Sequence, residues 1–310
     1  MDGDAAATAR PDRRRAVLGG IVIVLVFAAA AIAIYRQRRS LGDSIRDIGA
    51  GAMVASLGLA LIGVALTYPG WRAVLAGLGV QLPWIAGAKV FFTSQLGKYL
   101  PGSVWPVVLQ MEAGRARGAS RRTMISANLV TLVLGCTVGL VVAAALLPFS
   151  DTAALHKYWW FLLALPLLLA LLHPRSVPWL LDRAFGLLRR EPLGERLDAR
   201  ASLVAASWSL GSFVFLGLHV AVLALALGGD TGAVLLLSIG GMALAVAGGV
   251  LFIPAPAGAG VRDVILGLVL SAELTNAQAL AVVIASRVIL IVVDLALAGV
   301  AVTIRPGVPR

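Results

Sequence analysis

Cysteine is almost missing from this chain. Cys136 is the only one, which excludes an intramolecular disulfide and any cysteine-built zinc site. It lies inside an apolar run and reads as a small buried residue. Histidine is equally scarce: His156, His173 and His219 are far apart and share no metal-ligand spacing. Charge is thin as well. Charged residues make up 13% of the chain, where a soluble domain carries about 25%. No polar stretch is long enough to fold as a separate soluble domain, and no serine nucleophile elbow occurs. The glycines at Gly77 lack the preceding strand and the spacing of a dinucleotide-binding turn. Only three lysines are present, and this Arg- and Ala-rich balance fits a bacterium of high GC content.

What is present is apolar. Hydrophobic residues reach 60%, with a mean hydropathy of +0.94. The runs are continuous rather than alternating, which predicts membrane helices and not a barrel. The net charge of +11 comes from arginines in short loops beside these runs. That placement points to membrane topology and anionic lipid, not to nucleic acid.

In chain order, residues 1–16 form an Arg-rich tail expected in the cytoplasm, followed by one transmembrane domain over 17–304 and a short tail over 305–310. Six runs are long enough to span: 17–35, 48–68, 124–149, 201–227, 231–253 and 277–304. The first is expected to be retained rather than cleaved as a signal, because its apolar core is long and RQRR follows it. The runs 83–95, 104–111, 159–172 and 264–270 are shorter, so about eight crossings are expected, some through broken or re-entrant helices. Residues 175–200 hold six arginines against four acids and read as a helix on the cytoplasmic membrane surface. The glycines at 240, 241, 248 and 249 read as close helix packing rather than a phosphate cradle.

Two segments interrupt this pattern. KYLPGSVWP carries Pro101 and Gly102, and LFIPAPAGAGVRD carries Pro254, Pro256, Gly258 and Gly260. Proline removes a backbone donor and glycine makes a helix costly to hold, so each break needs protein or a watery cavity around it. Pro101 and Pro256 are separated by 256 − 101 = 155 residues, half of 310. Broken segments at matching places in two halves predict an inverted repeat, here over about 48–149 and 201–304.

Ionisable groups cluster beside the breaks. Lys98 precedes the first, and Gln110 and Glu112 follow it. Arg262 and Asp263 end the second, and Arg287 and Asp294 lie in the last span. Seven residues separate Arg287 from Asp294, so they share a helix face without forming a tight pair. Burying either alone would cost roughly 2.5–3.5 kcal/mol. A half-helix beginning at Val264 offers free backbone donors, and Arg262 beside it suits bidentate phosphate binding. The bland alternative has Arg262 paired with Asp263, while Lys98 and Glu112 are expected near the membrane surface.

KYLPGSVWPVVLQMEAGRARG and IPAPAGAGVRDVILGLVL, in this order and hydropathy setting, resemble the lysylphosphatidylglycerol synthase transmembrane-region family, also called flippase-like membrane proteins. The likeness runs from about Phe91 to Val302. Lys98, Pro101 and Gly102 match the first motif; Pro256, Gly258, Gly260, Arg262 and Asp263 match the second; and Arg287 matches the arginine of the following span. Trp105 and Pro106 stand where the family often has glycines, Gln110 stands near an expected arginine, and Asp263 replaces a glutamate. The resemblance implies an all-α polytopic protein of the bacterial cytoplasmic membrane that moves or handles a lipid or lipid-linked molecule. The implied partners are an anionic phospholipid or lipid-linked substrate and the surrounding lipids, with no cofactor, metal or catalytic residue; a partner enzyme or homo-oligomer stays open. The family's aminoacyl-transfer enzymes carry a separate soluble catalytic domain, for which this chain has no room. Two other readings remain at this point: a membrane-embedded transferase using a lipid-linked donor, and a scaffold whose polar groups only join helices.

Overall fold

The computed structural model describes residues 38–99, 105–115, 120–150, 159–173, 175–187, 198–251 and 260–304. The first expected span, both tails, Pro101, Gly102, Pro254, Pro256 and Gly258 lie outside the described residues. Within them are eleven α-helices: α1 (Arg38–Ala65), α2 (Thr67–Gly77), α3 (Trp84–Gln95), α4 (Trp105–Arg115), α5 (Arg121–Leu146), α6 (Trp160–Leu171), α7 (Ser176–Leu187), α8 (Ala199–Leu225), α9 (Thr231–Leu251), α10 (Val261–Leu270) and α11 (Asn276–Thr303). No strand is found among the described residues, and five helical stretches are long and apolar enough to cross a membrane. These five correspond to the five expected spans that fall within the described part. The chain is an all-α multi-pass membrane protein.

Local chemistry sets the helix starts. Ser120 caps α5 by accepting the Thr123 N–H at 3.0 Å. Thr275 caps α11 through the Gln278 N–H, and the Gln278 side chain returns to accept the Thr275 N–H at 3.0 Å. Gln278 also donates to the Leu227 carbonyl, tying the start of α11 to the end of α8. Asp230 accepts from Gly232 and Ala233 and so opens α9. Gly49 has φ of 70°, a value that kinks α1 and that glycine adopts without strain.

α8 lies at the centre, packed by α1, α2, α5, α9 and α11. Large apolar side chains such as Val54, Leu163, Leu167, Val288 and Leu295 stand exposed around the bundle. In water they would be a liability, but hydrocarbon solvates them. Gly217 lets α8 and α9 approach closely: a Cβ there would lie 2.4 Å from the Cα of Ile239.

The helices that flank each interrupted segment pack against each other as an antiparallel pair, here called a hairpin. α3 and α4 are 12 and 11 residues long, about 18 and 16 Å, each near half of a hydrocarbon core of about 30 Å. Their facing ends meet, since a Cβ on Gly97 would lie 3.0 Å from the Pro106 nitrogen. An aromatic group holds this hairpin's base: Tyr68 of α2 donates to the Trp84 carbonyl at 2.6 Å, and Trp71 packs on Phe91 at 5.2 Å between ring centroids. In the second hairpin α10 runs back along α9. Cβ atoms on Gly248 and Gly241 would lie 2.5 Å from Ile265 and 2.7 Å from Val269. The glycine run is therefore a packing surface, as expected. Each hairpin is followed by a long helix, α5 or α11, and the ends of both hairpins answer at a constant offset. Ser94 meets Gln110 in the first, and Gly248 meets Ile265 in the second, with 248 − 94 = 154 and 265 − 110 = 155.

α7 covers much of the segment expected on the membrane surface, with Val177 buried and Trp179 exposed beneath the Arg183 guanidinium. That arrangement suits an interfacial helix.

Candidate functional site

The polar centre forms around α11. By helical rise, Arg287 and Asp294 lie within about 7 Å of the midpoint of this helix of about 42 Å. Two other segments bring partners to them. A 3₁₀ turn over Leu96–Tyr99 ends α3 and carries Lys98 and Tyr99. The first turn of α10 carries Arg262 and Asp263.

Asp294 is 4% exposed and is the only carboxylate among the described residues that is buried. Its Oδ2 accepts the Lys98 ammonium at 2.7 Å and the Tyr99 hydroxyl at 2.5 Å. Lys98 was expected near the membrane surface. It instead reaches inward to this buried acid, while 30% of its side chain stays accessible. A buried carboxylate without such donors would be costly, and the pair together with the hydroxyl offsets that desolvation.

Asp263 works in two directions. Its Oδ2 accepts the Gly260 N–H at 3.1 Å and so caps α10, while Oδ1 faces Arg287 Nη1 at 3.6 Å. Gly260 has φ of 86°, which a side-chain-bearing residue adopts only with strain. The bland pairing of Arg262 with Asp263 is therefore not what forms. Arg262 is half-buried, directs Nη2 to the Met242 sulfur at 3.4 Å, and makes no ion pair with a carboxylate among the described residues. It lies within electrostatic reach of Arg287, Asp263, Asp294 and Tyr99.

The remaining candidates separate. Gln110 is fully buried, donates to Ser94 at 2.9 Å, and leaves its Oε1 unsatisfied. It stands between α3 and α4, alongside the charged cluster rather than in it. Glu112 of α4 is exposed and pairs at 2.8 Å with Arg121 at the start of α5, so it belongs to the surface.

Three contributions escaped the sequence reading. Tyr99 shares the Asp294 oxygen with Lys98. Met242 takes the Arg262 guanidinium. His219, fully buried on α8, lies 2.8 Å from both Ser56 of α1 and Ser286 of α11, one residue before Arg287. A tyrosine beside a break lysine and a serine beside a membrane arginine were the available signals. Among the described residues no group of His, Cys, Asp and Glu could hold a metal ion.

The cluster thus joins both hairpins to one long helix, with Lys98 and Tyr99 on one hairpin side and Arg262 and Asp263 on the other. The family model for the lysylphosphatidylglycerol synthase TM region matches residues 17–298. The chain belongs to this family. A search of curated proteins finds no match. Membership of the family ties the protein to lipid metabolism or flippase-like function.

Proposed function

We propose that this member of the lysylphosphatidylglycerol synthase transmembrane-region family is a lipid or lipid-linked-intermediate translocase of the bacterial cytoplasmic membrane. The observation that carries the reading is the mid-membrane cluster at α11. Lys98, Arg262 and Arg287 set against Asp263 and Asp294 give 3 − 2 = 1 formal positive charge in excess. One phosphodiester headgroup carries the single negative charge that would balance it. Arg262 is the natural first contact, because no carboxylate among the described residues claims its guanidinium.

In this reading the headgroup enters between the two hairpins and exchanges water for Arg262, Lys98 and the free N–H groups at the start of α10. Its acyl tails remain in lipid. The recurring hairpin-and-long-helix pattern supports an inverted repeat whose halves alternate access to the site. No covalent chemistry is needed, and the chain acts as a carrier rather than an enzyme. The test is translocation of fluorescent phospholipids in vesicles containing the purified protein, beside Arg262→Ala. Translocation that falls in the variant supports the reading. Equal rates in both remove Arg262 from it, and a headgroup-modified product found by mass spectrometry would favour a transferase instead.

A further inference from the structure

The Asp294 carboxylate poses a problem for any anion that enters this site. Lys98 and Tyr99 both direct their donors at Oδ2, so the ammonium already has an anion in contact. A phosphodiester drawn to the same ammonium would sit against the ionised carboxylate in a low-dielectric interior, where like charges repel strongly. Either the anion stays away from Lys98, or the carboxylate loses its charge. A proton resolves the conflict at the smallest structural cost, because a neutral carboxyl can keep its bond from Tyr99 while the ammonium turns away.

The groups around Asp294 suit this exchange. The 3₁₀ turn gives Lys98 and Tyr99, α10 gives Arg262 with Asp263 behind it, and α11 itself gives Arg287. α8 gives His219, which Ser56 and Ser286 engage on both ring nitrogens. α3 brings Lys89, more than two turns before Lys98, and on α1 Asp43, Arg46 and Asp47 lie exposed near its start, following Arg38 and Arg39 at its first two positions. Asp294 is thus the one buried acid among the described residues, and of the two ion-paired cations in the cluster its partner Lys98 is the more open, at 30% against 24% for Arg287.

We propose that Asp294 is a proton-binding site that controls Lys98: a proton taken from water adds to its carboxylate, the Lys98 ammonium is released, and an anionic headgroup takes the carboxylate's place on it. The inference rests on the translocase reading for its purpose but not for its chemistry. By linkage, whatever factor protonation adds to anion affinity, the anion adds to proton affinity. The protein then couples headgroup entry to uptake of one proton, and a transmembrane pH difference becomes able to drive the lipid.

The test uses the full-length protein in detergent, titrated with phosphatidylglycerol as anionic probe and phosphatidylcholine as zwitterionic control. Infrared difference spectra should show a protonated-carboxyl band on adding phosphatidylglycerol, with none in Asp294→Asn. Affinity should rise as pH falls, by up to about tenfold per pH unit, the slope of a single linked proton. Lys98→Gln keeps the acid but removes the contested cation, so in it the lipid should bring in no proton. A band that persists in Asp294→Asn, or the same pH slope in both proteins, overturns the proposal. In vesicles, lipid movement with a flat pH response would retain the translocase and discard the proton site. A band of the expected behaviour with no lipid movement would do the reverse.

Discussion

Arg287 and Asp294 occupy one stripe of α11 yet hold partners from different halves of the chain, Asp263 in one case and Lys98 in the other. One helix therefore closes both hairpins through charge. The same geometry separates a transport role from a purely structural one, because the two roles respond differently to neutral replacements.

Removing only Lys98 leaves Asp294 buried without its cation. Lys98→Met should lower stability by about 3–5 kcal/mol, as breaking one side of a buried pair does. The double change Lys98→Met, Asp294→Leu should recover most of that loss while lipid movement stays abolished. Thermal melting in detergent and vesicle assays on both proteins check this. Recovery of both properties together would mean that the pair only joins helices.

Arg262→Ala should leave the melting temperature nearly unchanged, since no carboxylate among the described residues pairs with the guanidinium. It should cut transport of anionic headgroups by roughly ten- to a hundredfold, the scale of one lost charged hydrogen bond of about 1.5–3 kcal/mol. Arg262→Lys should recover part of it. A uniform loss across neutral and anionic lipids would count against headgroup contact.

Glu112 and Arg121 are more than half exposed, at 55% and 59%, so their ion pair is screened. Glu112→Gln should change stability by less than about 1 kcal/mol and leave transport untouched. A large loss of transport in this variant would return Glu112 to the site.

His219 joins α1, α8 and α11 through two serines. Ser286→Ala should lower stability by about 1–3 kcal/mol, because the imidazole loses a buried partner. Ser207→Ala, whose hydroxyl is exposed on the same α8 helix, serves as the control and should have little effect.

The spans were legible because a membrane helix must carry a continuous apolar run, and α5, α8, α9 and α11 all do. The interruptions were expected for a related reason, since proline and glycine make an apolar helix costly to continue, and α3 and α9 do end beside the two segments. Pairing was not legible. Tyr99 and Asp294 are 195 residues apart, and nothing local at either end names the other. Asp263 had two arginines to choose from, and the neighbour in sequence lost to the neighbour in space because α10 turns Arg262 toward Met242. Lys98 was placed at the surface by its position at a helix end, but the 3₁₀ turn points it inward. His219 was weighed only as a metal ligand, and its two serine partners carry no signal because serines inside apolar helices are common.

The contact at Gly217 has a mechanical consequence. With Ile239's main chain against it, α8 and α9 meet backbone to backbone, and neither can slide without a collision. They behave as a single beam. α3 packs along α11 as well, but the turn that ends α3 reaches α11 through Lys98 and Tyr99, two long side chains that can let go and re-form. The beam is the part least able to slide, and the Lys98 turn is the contact on α11 that can open without unpacking helices. Spin labels across α8 and α9 should hold one distance when lipid is added, while labels between the Lys98 turn and α11 should report two.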